Sequence, residues 1–166
     1  MKKIVAFHAQ EARFPILRFP ILAEGNEQWL GGGYYFWQDI EYAKWWGRIK
    51  KMNGPLKKYS IFNATLEFDE NDFIDTVFNE EDYYFFISKV EKFATEYFSN
   101  FRVKPTLEEF NEFIQDYSIW EEIKIIRFQD LPDNDEFLKV RDYHYKKRIQ
   151  IRVNDPNIIT NFVQLK

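Results

Sequence analysis

Three consecutive glycines directly before four aromatic residues constrain the fold of this chain more than any other feature. The stretch reads LGGGYYFWQD over residues 30–39, and it holds half of the six glycines in the sequence. Glycine weakens regular structure and is favoured where the backbone turns tightly or where another group approaches it closely. The aromatic run has strand propensity, and Asp39 is a suitable helix N-cap. The sequence therefore predicts a strand-to-helix corner here.

Hydrophobic periodicity predicts the other elements of the fold. After Asp39, apolar residues recur at helical spacing until the MNG stretch, and Asp69–Asn79 reads as an acidic, turn-rich segment. Strands and helices alternate without a strict βαβ rhythm, which predicts the α+β class. Strands are expected at 2–9, 58–68, 123–128 and 147–153, helices at 80–98 and 106–117, a helical turn from Asp155, and an extended segment at 161–166.

A five-residue tandem, RFPILRFPIL, covers residues 13–22. Its prolines at positions 15 and 20 exclude a regular helix and favour extended backbone. An irregular apolar lid or packing loop is the favoured interpretation. The alternative is that Arg13 and Arg18 bind an anion, because loops often carry functional residues.

Length and composition limit the classes of protein. The 166 residues are enough for one sizeable core, so a single domain, 1–166, is expected. Aromatic residues make up 20% of the chain, which is more than a core of this size needs, and some rings are expected to line a groove or a partner surface. A net charge of −4 disfavours binding to nucleic acid through global electrostatics, although a local basic groove stays possible. The absence of cysteine and of any membrane-length apolar run predicts a cytoplasmic protein.

Most common catalytic signatures are missing from the sequence. It has no dinucleotide-binding glycine motif, no P-loop, no zincin motif and no nucleophile elbow. Its two histidines, His8 and His144, have no ligand spacing on one helix face, so no metal site is expected. Any catalytic site must therefore be built from few residues.

Three motifs occur in an order that is typical of one enzyme superfamily. They are FHA around His8, the corner GGGYYF, and AKWW in the following helix. With these motifs the chain resembles the ADP-ribosyltransferases, in the branch of poly(ADP-ribose) polymerases and diphtheria toxin, whose signature is a histidine, a tyrosine and a glutamate. The resemblance implies an α+β fold with a mixed β-sheet core and flanking helices. It also implies NAD as the substrate.

The resemblance assigns roles to individual residues. His8 and Tyr35 match the catalytic histidine and tyrosine of the signature. A flat, cationic nicotinamide ring would stack between Tyr35 and the indole of Trp46. The glycines before Tyr35 would let the strand edge approach the ligand closely. The NAD-binding residues that the resemblance implies are His8, Ala9, Gly33, Tyr35, Ala43 and Trp46.

The late strand KRIQIRV carries Gln150 where the signature has glutamate. Glutamine can bind a ribose hydroxyl, but it has no charge to stabilise an oxocarbenium-like transition state and cannot accept a proton from the acceptor. The register could differ, or a carboxylate could come from Asp142 or from the Glu121 and Glu122 pair. The pair is favoured, since carboxylates at the start of a strand can project into a cleft.

Two functions follow from the resemblance. The first is a NAD-dependent mono-ADP-ribosyltransferase of the bacterial toxin or phage-defence type, which modifies a protein or nucleic acid and can have an antitoxin or another protein partner. The second is a catalytically degenerate domain of the same fold that binds a nucleotide or a protein. An RNA phosphotransferase of a related fold is a weaker third option, because the several arginines expected around the histidine are not evident in the sequence.

Overall fold

The computed structural model describes residues 1–24, 28, 30–98, 109–110, 123–130 and 147–166. Over these residues the chain is a mixed α/β structure with a seven-stranded sheet. In chain order the elements are β1 (Lys2–Glu11), β2 (Tyr34–Trp37), α1 (Ile40–Lys50), β3 (Tyr59–Phe68), β4 (Phe73–Asp75), α2 (Glu80–Phe98), β5 (Ile125–Asp130), β6 (Arg148–Val153) and β7 (Ile159–Gln164). One 3-10 turn precedes β4 and another, Pro156–Ile158, precedes β7.

The strand order in the sheet is β4-β5-β6-β2-β1-β3-β7. Only β4 and β5 are parallel, and every other described pair is antiparallel. The long pair of β1 and β3 is in register over the whole of β1, from Lys2 opposite Phe68 to Glu11 opposite Tyr59. This antiparallel pairing fixes β1 firmly on one of its two sides.

On its other side, β1 is joined to β2 by a single register pair, Phe7 opposite Trp37. Continuing that register would place Ala9 opposite Tyr35, but this pair does not form, so the two strands diverge after Phe7. Instead, Ala23, in the segment before the glycine triplet, pairs with Gly33, which directly precedes β2. Two backbone hydrogen bonds join these two residues. The sheet is therefore split at its centre.

The two faces of the sheet are covered differently. One face carries a mixed aliphatic and aromatic cluster with Ala6, Phe36 and Ile151. The other packs against α1 through an aromatic cluster that includes Trp37 and Trp45. Strand alternation produces this division, because neighbouring residues of a strand point to opposite faces.

Most predicted elements are confirmed at the level of type and position. Asp39 caps α1, since its carboxylate accepts from the backbone N–H of Glu41 at 2.8 Å. The predicted helix 80–98 matches α2, and the mixed α/β structure with its seven-stranded sheet is compatible with the predicted α+β class. Only residues 109 and 110 of the predicted helix 106–117 are described, and both are helical.

The segment Asp69–Asn79, predicted to be acidic and turn-rich, also contains a short strand that the sequence did not predict. Residues Phe73–Asp75 form β4, which pairs in parallel with β5. Three residues are too few to show a strand period. The strand exists because its partner β5 supplies the hydrogen bonds, and that long-range pairing is not visible in the local sequence.

Candidate functional site

A cavity of about 490 Å³ lies where β1 and β2 diverge. Its volume is within the range of small-molecule pockets, roughly 300 to 1,000 Å³. The lining comes from β1, the segment before the glycines, α1, and the strands β2, β5 and β6. It includes His8, Ala9, Tyr35, Trp46, Asp130 and Gln150. The split in the sheet thus produces the cavity.

His8 bridges the two diverging strands. Its Nδ1 lies 2.9 Å from the backbone carbonyl of Tyr35, so the imidazole occupies a place where a backbone ladder bond would otherwise form. A carbonyl only accepts, so Nδ1 carries the hydrogen and Nε2 of the neutral ring is an acceptor. Nε2 is buried and has no hydrogen-bond partner of normal geometry among the described residues.

Burial lowers the pKa of His8 below its usual value, and the hydrogen bond to Tyr35 only partly opposes this shift. Lys51 lowers the pKa further, whereas Gln10 raises it, although no hydrogen bond of normal geometry links Gln10 to Nε2. The ring is therefore neutral at pH 7. The neutral imidazole therefore carries a buried acceptor at Nε2.

The lowered pKa of His8 predicts a pH-dependent stability. As the pH falls through about 6.5, the unfolded chain binds a proton at this position before the folded chain does, so the free energy of unfolding decreases. The limiting slope for one proton is about 1.4 kcal/mol per pH unit. Urea denaturation at pH 7.5, 6.5 and 5.5 measures how the free energy of unfolding changes with pH. The His8→Gln variant, which keeps a donor for Tyr35, should have a flatter profile, and an unchanged profile would assign the effect to other groups.

Tyr35 holds the glycine segment in place. Its hydroxyl donates to the carbonyl of Gly31 at 2.7 Å and accepts from the backbone N–H of Leu30 at 3.2 Å. Gly31 has φ 72°, a conformation that glycine adopts without strain. Burial raises the pKa of Tyr35 to about 12, so the hydroxyl remains protonated. The ring packs edge-to-face on Phe128 with centroids 6.3 Å apart.

The glycine triplet makes room for Arg152 as well. The guanidinium donates from Nε at 2.9 Å and from Nη2 at 2.7 Å to the carbonyl of Gly32. A Cβ on Gly33 would lie 2.9 Å from the Arg152 side chain and 3.2 Å from the Val153 carbonyl. Gly33 does not contribute to the described lining of the cavity. The resemblance implies that NAD approaches Gly33 closely, but in the structure the Arg152 side chain lies against this glycine.

Trp46 belongs to the aromatic cluster beneath α1. Its ring centroid is 5.9 Å from that of Trp37 and 6.1 Å from that of Trp45, and it remains half-buried. The ammonium of Lys50 is 5.8 Å from the Trp46 ring centroid. Ala43 is fully buried among the same rings and is absent from the described lining. One wall of the cavity therefore offers an indole that already attracts a cation.

A charged pair lies beside Gln150. Oδ2 of Asp130 accepts from Nη2 of Arg148 at 2.8 Å and from Nε2 of Gln150 at 2.9 Å. Both members of the ion pair are buried, with side chains 4% and 7% exposed. The Arg148 guanidinium also lies over the Trp45 ring, 4.7 Å from its centroid. A carboxylate is thus present in the cavity, although its charge is balanced.

The structure brings five of the expected site residues together on the cavity: His8, Ala9, Tyr35, Trp46 and Gln150. Gly33 and Ala43 are absent from the described lining of the cavity. Gly33 lies against the Arg152 side chain, and Ala43 packs in the aromatic cluster. Glu121, Glu122 and Asp142 lie outside the described residues. Sequence reasoning missed Asp130, because the strand IKIIRF was expected to end at residue 128, whereas β5 continues through Asp130.

Comparisons with protein-family models, with curated proteins and with solved structures found no match to this chain. In the part of the chain that is described, no three metal-ligating side chains come together. Neither described helix has the length and hydrophobicity needed to cross a membrane.

Proposed function

We propose that this chain is an ADP-ribosyltransferase-like protein that binds NAD in the cavity between β1 and β2. One observation carries the proposal: the divergence of these strands gathers His8, Tyr35, Trp46 and Gln150 around one ligand-sized cavity. The four residues come from three strands and a helix, far apart in the sequence. Their shared location follows from the topology, which played no part in choosing them from sequence motifs.

In this proposal, each side chain has a distinct task. Tyr35 and Trp46 provide aromatic faces for a cationic nicotinamide ring, since indoles attract cations when water is excluded. The attraction of Lys50 to Trp46 supports this use of the indole. Nε2 of His8 is a buried acceptor that suits a ribose hydroxyl. The backbone at Ala9, beside the split, is available to the carboxamide.

The proposed reaction is transfer of ADP-ribose to a protein or a nucleic acid. The bond between ribose C1′ and the nicotinamide nitrogen breaks, and its electron pair neutralises the pyridinium. An acceptor nucleophile then forms the new bond to C1′ and releases its proton. Carboxylates stabilise such oxocarbenium-like states in related glycosyl chemistry. The proposal includes a cytoplasmic toxin or phage-defence role, with an antitoxin or other protein as partner.

A second candidate function is a nucleotide-binding or protein-interaction module that has lost catalysis. Gln150 favours it, because an amide carries no charge. The ion pair of Asp130 with Arg148 favours it further, since the guanidinium reduces the field of the carboxylate. NAD binding without release of nicotinamide would distinguish this function from the transferase.

Calorimetric titration with NAD and an assay for released nicotinamide test the proposal. We expect Trp46→Leu to weaken NAD binding about 10-fold, because stacking of a base on an aromatic side chain is worth roughly 1 to 3 kcal/mol. Tyr35→Phe keeps the ring and should bind NAD within about 3-fold of the wild type, since the lost hydroxyl bonds belong to the glycine segment.

Tyr84→Ala is the matched control for loss of an aromatic ring. Tyr84 is 61% exposed on α2 and does not line the cavity, so its removal should leave NAD affinity unchanged. Absence of saturable NAD binding by the wild type would refute the proposed function. Equal weakening in the Tyr84 and Trp46 variants would contradict the assignment of the cavity.

A further inference from the structure

Asp130 has no counterpart in the histidine, tyrosine and glutamate signature, yet it is one of the polar residues that line the cavity. It is the last residue of β5, directly opposite Arg148 in the register with β6. Its side chain is buried, and its Oδ2 accepts from both Arg148 and Gln150. Because both donors bind one oxygen, the side chains of Asp130, Arg148 and Gln150 form a hydrogen-bond network across two strands.

This network determines which end of the Gln150 amide is available to a ligand. An ionised carboxylate can only accept, so it binds the amide through the NH₂ end. The carbonyl Oε1 of a planar amide then points away from Asp130. Without such a partner, a glutamine amide can turn by 180° and present a donor in place of an acceptor. Asp130 thus fixes the polarity of Gln150.

We propose that Asp130 is a positioning residue, which holds Gln150 so that Oε1 accepts a hydrogen bond from a ribose hydroxyl of the ligand. The inference rests on the proposed NAD site and adds a chemical requirement to it. The ligand must offer a hydroxyl donor at this point, which selects a ribonucleotide over its deoxy analogue. Arg148 orients the Asp130 carboxylate through its contact of 2.8 Å with Oδ2.

The network also predicts that a glutamate at position 150 is unfavourable beside Asp130. The carboxylate of Gln150→Glu would lie at hydrogen-bonding distance from that of Asp130, and two such groups do not both ionise. Exchanging the two groups in Asp130→Asn/Gln150→Glu restores one carboxylate and one amide. We expect the single variant to bind NAD more weakly than the exchanged variant at pH 7, because the two carboxyl groups compete for one proton and position 150 no longer presents a fixed acceptor.

Calorimetry with NAD and with its analogues lacking the 2′- or the 3′-hydroxyl of the nicotinamide ribose tests the role of Asp130. We expect the wild type to prefer NAD over one analogue by about 10-fold, the effect of a hydrogen bond that a buried acceptor loses. Gln150→Ala should show no preference. Asp130→Asn should reduce the preference to about 2-fold while its affinity for the deoxy analogue stays near that of the wild type, because the released amide can turn.

A purely structural role for Asp130 would weaken all ligands equally and leave the preference intact, which would overturn the inference. Asp130→Asn/Arg148→Gln removes both charges of the pair and keeps hydrogen-bonding groups at both positions, so it provides a second variant if Asp130→Asn unfolds under the assay conditions. A wild type that binds NAD without preference for either hydroxyl overturns this inference alone. A wild type that does not bind NAD overturns the proposed function together with it.

Discussion

Arg148→Met is expected to lower the free energy of unfolding by about 3 to 5 kcal/mol, the usual cost of removing one partner from a buried ion pair. Arg148 and Asp130 are nearly inaccessible to water and lie 2.8 Å apart. Methionine follows the aliphatic stem of the arginine side chain only as far as Nε, so the contact of the guanidinium with the Trp45 ring is lost together with the ion pair. A domain of this size is stable by only about 5 to 15 kcal/mol. Urea denaturation measures the loss.

Lys3→Met is the matched control for this variant. Lys3 and Glu67 form an ion pair on the same sheet with a separation of 3.0 Å, but the lysine side chain is 62% exposed. Water can solvate the Glu67 carboxylate after the substitution, and an exposed ion pair contributes little, so the unfolding midpoint should stay close to that of the wild type. If the two variants lose equal stability, burial does not determine the strength of the Arg148 pair.

A double substitution separates the cost of leaving the Asp130 carboxylate without Arg148 from the value of the pair. Asp130→Asn/Arg148→Met removes both charges and keeps an acceptor for Gln150. We expect it to regain most of the stability lost by Arg148→Met, because replacing a buried pair with neutral groups is often nearly neutral. A double variant as unstable as the single one would show that the cost comes from lost packing.

The sequence predicted the elements of the fold better than their arrangement. α1 was predictable because its apolar period and its N-cap, Asp39, are both local signals. The splitting of the sheet after Phe7 was not predictable, since it depends on which strand lies beside β1. β4 was missed for the same reason, because its hydrogen bonds come from β5, some fifty residues later in the chain.

The candidate site was predictable only where a motif marked it. His8, Tyr35 and Gln150 were found through motifs, and they share one cavity because β1, β2 and β6 are neighbours in the sheet. Asp130 carries no motif, and its role depends on its register opposite Arg148. The role of the glycines was also not predictable, since a sequence does not show that Arg152 bonds to Gly32 from across the sheet.

Gly47→Ala is expected to destabilise the protein by about 1 to 3 kcal/mol, the usual range for overpacking a core. Gly47 lies on the buried side of α1, where the helix crosses the start of β3. A Cβ at this position would be 2.3 Å from Cδ2 and 2.7 Å from Cγ of the Tyr59 ring. In an exposed helix the same substitution stabilises by about 1 kcal/mol. The predicted loss therefore has the opposite sign to helix propensity.

Removing the Tyr59 ring should reverse that sign. In a Tyr59→Ala background, the new methyl group of Gly47→Ala no longer meets the three ring atoms that lie nearest to it, so the propensity gain should prevail and the substitution should stabilise by about 0.5 to 1 kcal/mol. A double-mutant cycle of the wild type, the two single variants and the double variant, measured by urea denaturation, isolates the interaction free energy between positions 47 and 59. If Gly47→Ala destabilises equally in both backgrounds, the close packing of α1 against β3 at this point is not what requires glycine.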